Sequence, residues 1–181
     1  MLTLPIETKR LLLRELNSED IAAFHHYRSD PVLARYQGWE PMSVQACREF
    51  LDQQTGSLES FGQDGQWLQL AITRKETHEL LGDIGMCSLS RREGLLTLGF
   101  TLSQRYQGQG FATEAIRGLL NHLCSTTPFC KIQAITDLRN TASIRLLTRL
   151  GFQLQGTKDA FFKGEACKEQ VYLWENHTSP E

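Results

Sequence analysis

The run Arg105-Tyr-Gln-Gly108-Gln-Gly110-Phe-Ala-Thr113 places a cation and two closely spaced glycines between an apolar stretch ending near Leu102 and a helical pattern starting near Gly110. A helix start carries unpaired backbone N–H groups and the positive end of the helix dipole, which together hold anions. Glycine lets the chain turn tightly there and brings the backbone close to a phosphate with no Cβ in the way. A pyrophosphate fits such a cradle, and Gly110→Val is expected to put a side chain where it must sit.

Three phosphate-binding patterns compete. A nucleoside-triphosphate loop ends in Gly-Lys-Ser/Thr, and no lysine follows Gly110. A dinucleotide fingerprint needs a third glycine, where this chain has Thr113, and it belongs to an opening βαβ unit rather than past the chain midpoint. The pattern R-x-x-G-x-G is met in full by Arg105, Gly108 and Gly110. The glycines alone also fit an ordinary turn.

The elements around this loop can be read from period and punctuation. Arg10 to Leu16 reads as a strand, followed by a helix with Ser18 as N-cap, Glu19 and Asp20 in its first turn, and an end near Ser29 before Asp30-Pro31. A second helix is expected from Ser43 to just before Gly56. Trp67–Thr73, Leu81–Leu89 and Leu95–Leu102 are apolar runs with gaps too short for crossover helices, so they predict an antiparallel meander. Phe111, Ala115, Ile116, Leu119, Leu120 and Leu123 then form a helical stripe that Pro128 breaks. A strand over Lys131–Thr136 and a short helix from Asn140 to Leu150, stopped by Gly151, come next. Two last strands are expected around Phe152–Leu154 and Val171–Trp174, with Asp159 to Cys167 between them. The fold class is α+β: one domain over residues 1–181, with a single mixed, mostly antiparallel sheet flanked by helices and a central β-α-β unit from Leu95 to Thr136.

Arg105-x-x-Gly108-x-Gly110 resembles the acetyl-CoA-binding motif of the GNAT superfamily of N-acetyltransferases. Gly108-Gln-Gly-Phe-Ala-Thr-Glu-Ala115, Asn140-Thr-Ala-Ser143-Ile-Arg-Leu-Leu-Thr-Arg-Leu-Gly-Phe152 and the opening Ile6-Glu-Thr-Lys-Arg-Leu-Leu-Leu-Arg14 resemble its RimJ/RimL-type branch, which acetylates ribosomal proteins. The resemblance covers almost the whole chain. It implies that Gln107, Gly108, Gln109, Gly110, Phe111, Ala112 and Thr113 hold the coenzyme pyrophosphate with backbone amides. It further implies that Phe100, Thr101 and Leu102 pair with the pantetheine arm in a splayed sheet, and that Arg105 adds charge near the phosphates. Arg105 also reads as a solvated surface arginine.

The same resemblance turns Asn140 and Ser143 toward the thioester, with the Ser143 hydroxyl assisting the departing thiolate. On their own these residues read as an N-cap and an exposed first-turn residue. The branch often has a Glu-Leu-Gly-Tyr pattern before the phosphate loop. Here it is Thr97-Leu98-Gly99-Phe100, so no carboxylate base is expected on this strand. Water, or Glu165, would take the proton, although Glu165 also reads as a hairpin charge. His25, His26, Tyr36 and Trp39 are candidates for the acceptor side, each with an equal claim to packing. His122 reads as a helix flank.

Composition sets the remaining bounds. A net charge of −2 over 181 residues offers no basic field for nucleic acid. Five cysteines without C-x-x-C spacing predict free thiols in a reducing cytoplasm, with no disulfide framework and no zinc site. The opening residues do not read as a signal peptide, no apolar run is long enough for a membrane helix, and the sequon Asn176-His-Thr178 is inert without secretion. The expected co-substrate is acetyl-CoA, with no metal, since a thioester is already activated. The acceptor is an amine, plausibly a ribosomal protein N-terminus, and the protein is a monomer or homodimer. A small-amine acetyltransferase and a non-catalytic acetyl-CoA-binding module remain open, and a nicotinamide enzyme is the weakest reading.

Overall fold

A computed structural model describes residues 2–54 and 56–176. In chain order the elements are β1 (Ile6–Glu7), β2 (Leu11–Glu15), α1 (Ile21–Arg28), α2 (Pro31–Ala34), α3 (Val44–Gln54), α4 (Ser57–Ser60), β3 (Trp67–Arg74), β4 (Leu80–Ser90), β5 (Leu95–Leu102), α5 (Phe111–Thr126), β6 (Lys131–Asp137), α6 (Thr141–Arg149), β7 (Gln153–Phe162) and β8 (Glu165–Glu175). His177 and Thr178 lie outside the described residues.

The eight strands form one sheet in the order β1-β2-β3-β4-β5-β6-β8-β7. Its neighbours are antiparallel except β5 and β6, which are parallel because α5 crosses between them. One face carries Leu68, Leu70, Ile72, Ile84, Met86, Leu96 and Leu98 and packs on the buried stripe of α5 from Phe111 to Leu123. Each large apolar side chain buried there contributes about 1.5–3 kcal/mol. The opposite face presents Ala71 and Leu80 to Phe24, Tyr27, Cys47 and Leu51 of α1 and α3.

That second face also buries a charge. Asp83 of β4 accepts from Tyr27 Oη at 2.7 Å and from Arg28 Nη2 at 2.6 Å, and all three residues are nearly inaccessible. Burial first, and then the Asp83 carboxylate, push the Tyr27 hydroxyl well above its ordinary value. The Arg28 guanidinium is stacked against Phe24 and Trp39. Removing one partner of such a buried pair costs about 3–5 kcal/mol, so this cluster fixes α1 on the sheet.

Two details depart from the sequence reading. The cap before α1 is Asn17, not Ser18: Asn17 Oδ1 accepts from Glu19 N at 2.9 Å and Asp20 returns a bond to Asn17 N at 2.9 Å. Ser18, Glu19 and Asp20 form a tight 3₁₀ turn, a frequent way to open a helix. Most of Asp159–Cys167 is strand rather than a connection, because β7 and β8 make one long hairpin that turns only at Lys163-Gly164. Residues 153–159 are all exposed, so neither face gave the period-two alternation that marks a strand. Sequence reading also passed over β1, α2 and α4, each of four residues or fewer.

Candidate active site

The sheet opens where β5 leaves β6. The two strands pair only from Leu95↔Lys131 to Thr97↔Gln133. Beyond Thr97, β5 runs on to Leu102 while β6 stays with β8. The segment Leu98–Leu102 therefore keeps its bonds to β4 and loses its other neighbour. Gly82 makes the β4–β5 side unusually close, since a Cβ there would stand 2.1 Å from the Thr101 carbonyl oxygen.

A cleft of about 540 Å³ fills this opening. One wall is the end of β5, namely Phe100, Thr101 and Leu102, and the loop Gln107, Gly108, Gly110, Phe111, Ala112 and Thr113. The facing wall comes from α6 with Asn140, Ser143 and Leu146, and the mouth is formed by Val32, Leu33, Tyr36 and Gln37. Among the described residues, the lining contains no aspartate, glutamate or histidine.

The loop has the local form of an anion site. Gly108 and Gly110 sit at φ +74° and +80°, a left-handed conformation that side chains resist. The helical ladder of α5 begins with Glu114 N–H to the Gly110 carbonyl at 3.0 Å, so the amides of Phe111, Ala112 and Thr113 precede it. A Cβ at Gly110 would stand 3.6 Å from Arg10 Nη2, an ordinary contact, so within the protein the cost of valine lies in the left-handed backbone conformation.

Asn140 caps α6 by accepting from Ser143 N at 3.2 Å, and its Nδ2 group makes no hydrogen bond to the described residues. The half-buried Ser143 Oγ makes no hydrogen bond to the described residues, and both side chains border the cleft. At the mouth, Gln37 Nε2 donates to the Phe100 carbonyl at 3.2 Å, on the strand whose neighbour is missing.

Other candidates sit elsewhere. Arg105 and Gln109 are outside the cleft lining. The Arg105 guanidinium is 3.0 Å from Glu79, whose carboxylate also accepts from the Tyr106 hydroxyl. That hydroxyl, with Arg105 and Arg74, holds Glu79 below the usual carboxylate range. Thr97 faces Cys87 and Gln133 across the sheet. Glu165 is a hairpin charge 3.5 Å from Arg139. His25 borders a separate hollow with Glu19 and Arg48, His26 is exposed, and His122 Nε2 lies 3.2 Å from Thr3 Oγ1. Trp39 packs under Arg28, whereas Tyr36 reaches the cleft. All five cysteines are free. Sequence reasoning missed Gln37, Arg145 and Arg149 on the cleft, because no spacing rule ties an isolated side chain to a gap between strands.

Comparison with known proteins agrees with this geometry. Residues 10–153 match the family model described as an acetyltransferase (GNAT) domain. The uncharacterized N-acetyltransferase p20 of Bacillus licheniformis is 29% identical, over 92% of each chain. The [ribosomal protein uS5]-alanine N-acetyltransferase of Escherichia coli is 24% identical, over 83% of this chain and 79% of its own. Among solved structures, the ribosomal L7/L12 α-N-protein acetyltransferase RimL in complex with coenzyme A superposes with a TM-score of 0.82 at 17% identity, covering 94% of this chain and 97% of its own.

Proposed function

The chain belongs to the acetyltransferase (GNAT) family, and from that premise we propose that it carries the acetyl group of acetyl-CoA to the N-terminal α-amine of a protein, a ribosomal protein with an N-terminal serine among the candidates. The family makes the chain an N-acetyltransferase, and the finer reading concerns its acceptor and its residues. The relatives that act on ribosomal proteins uS5 and L7/L12 support that acceptor.

The observation that carries the reading is the cleft lining, where the described residues offer no carboxylate or imidazole to deprotonate an amine. The acceptor must then arrive neutral. At pH 7.5 an α-amine with a pKa near 7.9 is about a quarter neutral, whereas a lysine amine with a pKa near 10.4 is about a thousandth neutral. The neutral fraction alone favours the weaker base by a factor of roughly two hundred at that pH.

In this reading the amides from Gln107 to Thr113 hold the pyrophosphate, and the open edge of Phe100–Leu102 meets the pantetheine amides. The amine enters beside Tyr36 and Gln37 and attacks the thioester carbonyl directly. A C–N bond forms, the C–S bond breaks, and the amine proton leaves to water. The Ser143 hydroxyl and the Asn140 Nδ2 group stabilise the charge that develops on sulfur. No covalent enzyme intermediate is needed, because holding the two reactants together removes much of the barrier.

An acetylation panel read by mass spectrometry tests the acceptor. It compares free N-terminal peptides of ribosomal proteins, the same peptides with a blocked α-amine and an internal lysine, and polyamines. Modification of the free α-amine, with a rate that climbs with pH until the amine's own pKa, is expected. Preferential acetylation of polyamines or lysine would overturn the α-amine assignment.

A further inference from the structure

We infer that Arg10 is a positioning residue for the phosphate-binding loop: it turns the Gln109–Gly110 peptide so that the Gly110 N–H faces the cleft, and it holds the Glu114 carboxylate away from the bound anion. This rests on the reading of the loop as the coenzyme's pyrophosphate site.

The geometry begins at the turn between β1 and β2. Thr8 Oγ1 and Arg10 N both donate to Glu114 Oε1 at 2.7 Å, and Arg10 Nε donates to Glu114 Oε2 at 2.6 Å. The carboxylate therefore has three donors, all from this one turn. Burial raises the Glu114 pKa, but the bonds from Thr8 and Arg10 outweigh it and keep the group below its ordinary value. The backbone of Arg10 is pinned on its other side as well, since its carbonyl accepts from Lys75 N at 2.9 Å. The guanidinium then lies over the Phe111 ring, 4.3 Å from its centroid, and Nη1 donates to the Gln109 carbonyl at 3.2 Å.

That last bond sets the polarity of the loop. In a trans peptide the C=O and the following N–H point in opposite directions. With the Gln109 oxygen drawn outward to Arg10, the Gly110 N–H is turned the other way. Gly110 lines the cleft and Gln109 does not, which agrees with this orientation. A peptide flip would present a carbonyl oxygen to the phosphates instead of a donor. The conformation is accessible to the loop because glycine tolerates both orientations, so something must select one.

Glu114 adds a second reason. It lies in the first turn of α5, where a carboxylate suits the helix dipole but repels an anion bound at the same end. Arg10 neutralises it and fixes its rotamer on the outer side of the helix. Arg10 is not in the cleft lining, so it acts through Gly110 and Glu114 and not by touching the coenzyme.

The test separates loop polarity from general packing by using two acetyl donors. Acetyl-CoA carries the phosphates, and S-acetyl-pantetheine carries none. Wild-type protein is first titrated calorimetrically with coenzyme A. Failure to bind there removes the pyrophosphate reading and this inference with it. Where wild type binds, Arg10→Ala is expected to weaken coenzyme A at least tenfold while kcat/KM for S-acetyl-pantetheine stays within about twofold. Arg10→Lys keeps the charge but cannot serve Gln109 and Glu114 together, so it should fall between the two. Arg10 is partly exposed, and circular dichroism with thermal melting checks that both variants fold. Unchanged coenzyme A affinity in a folded variant, or equal losses with both donors, would overturn the inference.

Discussion

The two sides of the cleft are built differently. The coenzyme side rests on the core: Phe111 and Ala112 are 2% and 8% exposed, and Arg10 in the β1–β2 turn ties down both the loop, at Gln109, and α5, at Glu114. The acceptor side is a four-residue helix and its following loop, with Val32 69% exposed. It is held by side chains reaching backbone carbonyls: Lys163 Nζ donates to Ala34 O at 2.8 Å and to Trp39 O at 2.6 Å, and Gln37 reaches Phe100. Segments with few buried apolar groups open at low free-energy cost. In the proposed reading, the phosphate anchor rests on the buried core and the amine's entrance on exposed segments held by few contacts.

Variants can break this contrast. The largest effect is expected at Gly110→Val, which forces a β-branched residue to φ +80°. Coenzyme affinity should fall by more than about a hundredfold in a folded protein, measured by calorimetry. Ser143→Ala should come next, lowering kcat by roughly ten- to a thousandfold with coenzyme affinity nearly unchanged, because the contact strengthens only as sulfur charge develops. If alanine is silent in both constants, catalysis belongs to Asn140 and to geometry alone.

Lys163→Ala removes the strap between the β7–β8 turn and the α2 loop. It should raise the acceptor KM by about three- to tenfold and leave acetyl-CoA affinity untouched. A matching loss of coenzyme affinity would mean that the two sides are not separable. The smallest effect is with pH. Glu114 and Glu79 have carboxyl groups held below the ordinary glutamate value. Their contribution is complete above an unfolded value of about 4.3 and is lost only as pH falls through the lower folded value. These two groups should therefore give coenzyme affinity no inflection between about pH 6 and 9, where the coenzyme's own phosphate monoester, with a second pKa near 6, is the group that titrates.

The form of the glycine loop was legible in the sequence, since a glycine pair between a strand and an amphipathic helix states both its position and its backbone need. The same holds for the cap: Asn140 announces the start of α6, and its oxygen does bind Ser143 N. The acceptor side was less legible. The α2 helix is too short to show a period, and Gln37 and Lys163 act through backbone carbonyls that leave no residue pattern. The role of Arg10 was hidden for another reason. It pairs with Glu114 across more than a hundred residues, and such a contact exists only once β2 has packed beside α5. Strands were expected at both ends of the β7–β8 hairpin, and its middle escaped because residues 155–159 of β7 are exposed and carry no alternation.

The central claim is that the amides of the Gln107–Thr113 loop bind the coenzyme pyrophosphate. Nuclear magnetic resonance of ¹⁵N-labelled protein during titration with coenzyme A tests it most directly. The amides of Gly108, Gly110 and the first turn of α5 should move most, and pantetheine without phosphates should leave them nearly still. Saturable binding of coenzyme A with those amides unmoved would contradict it.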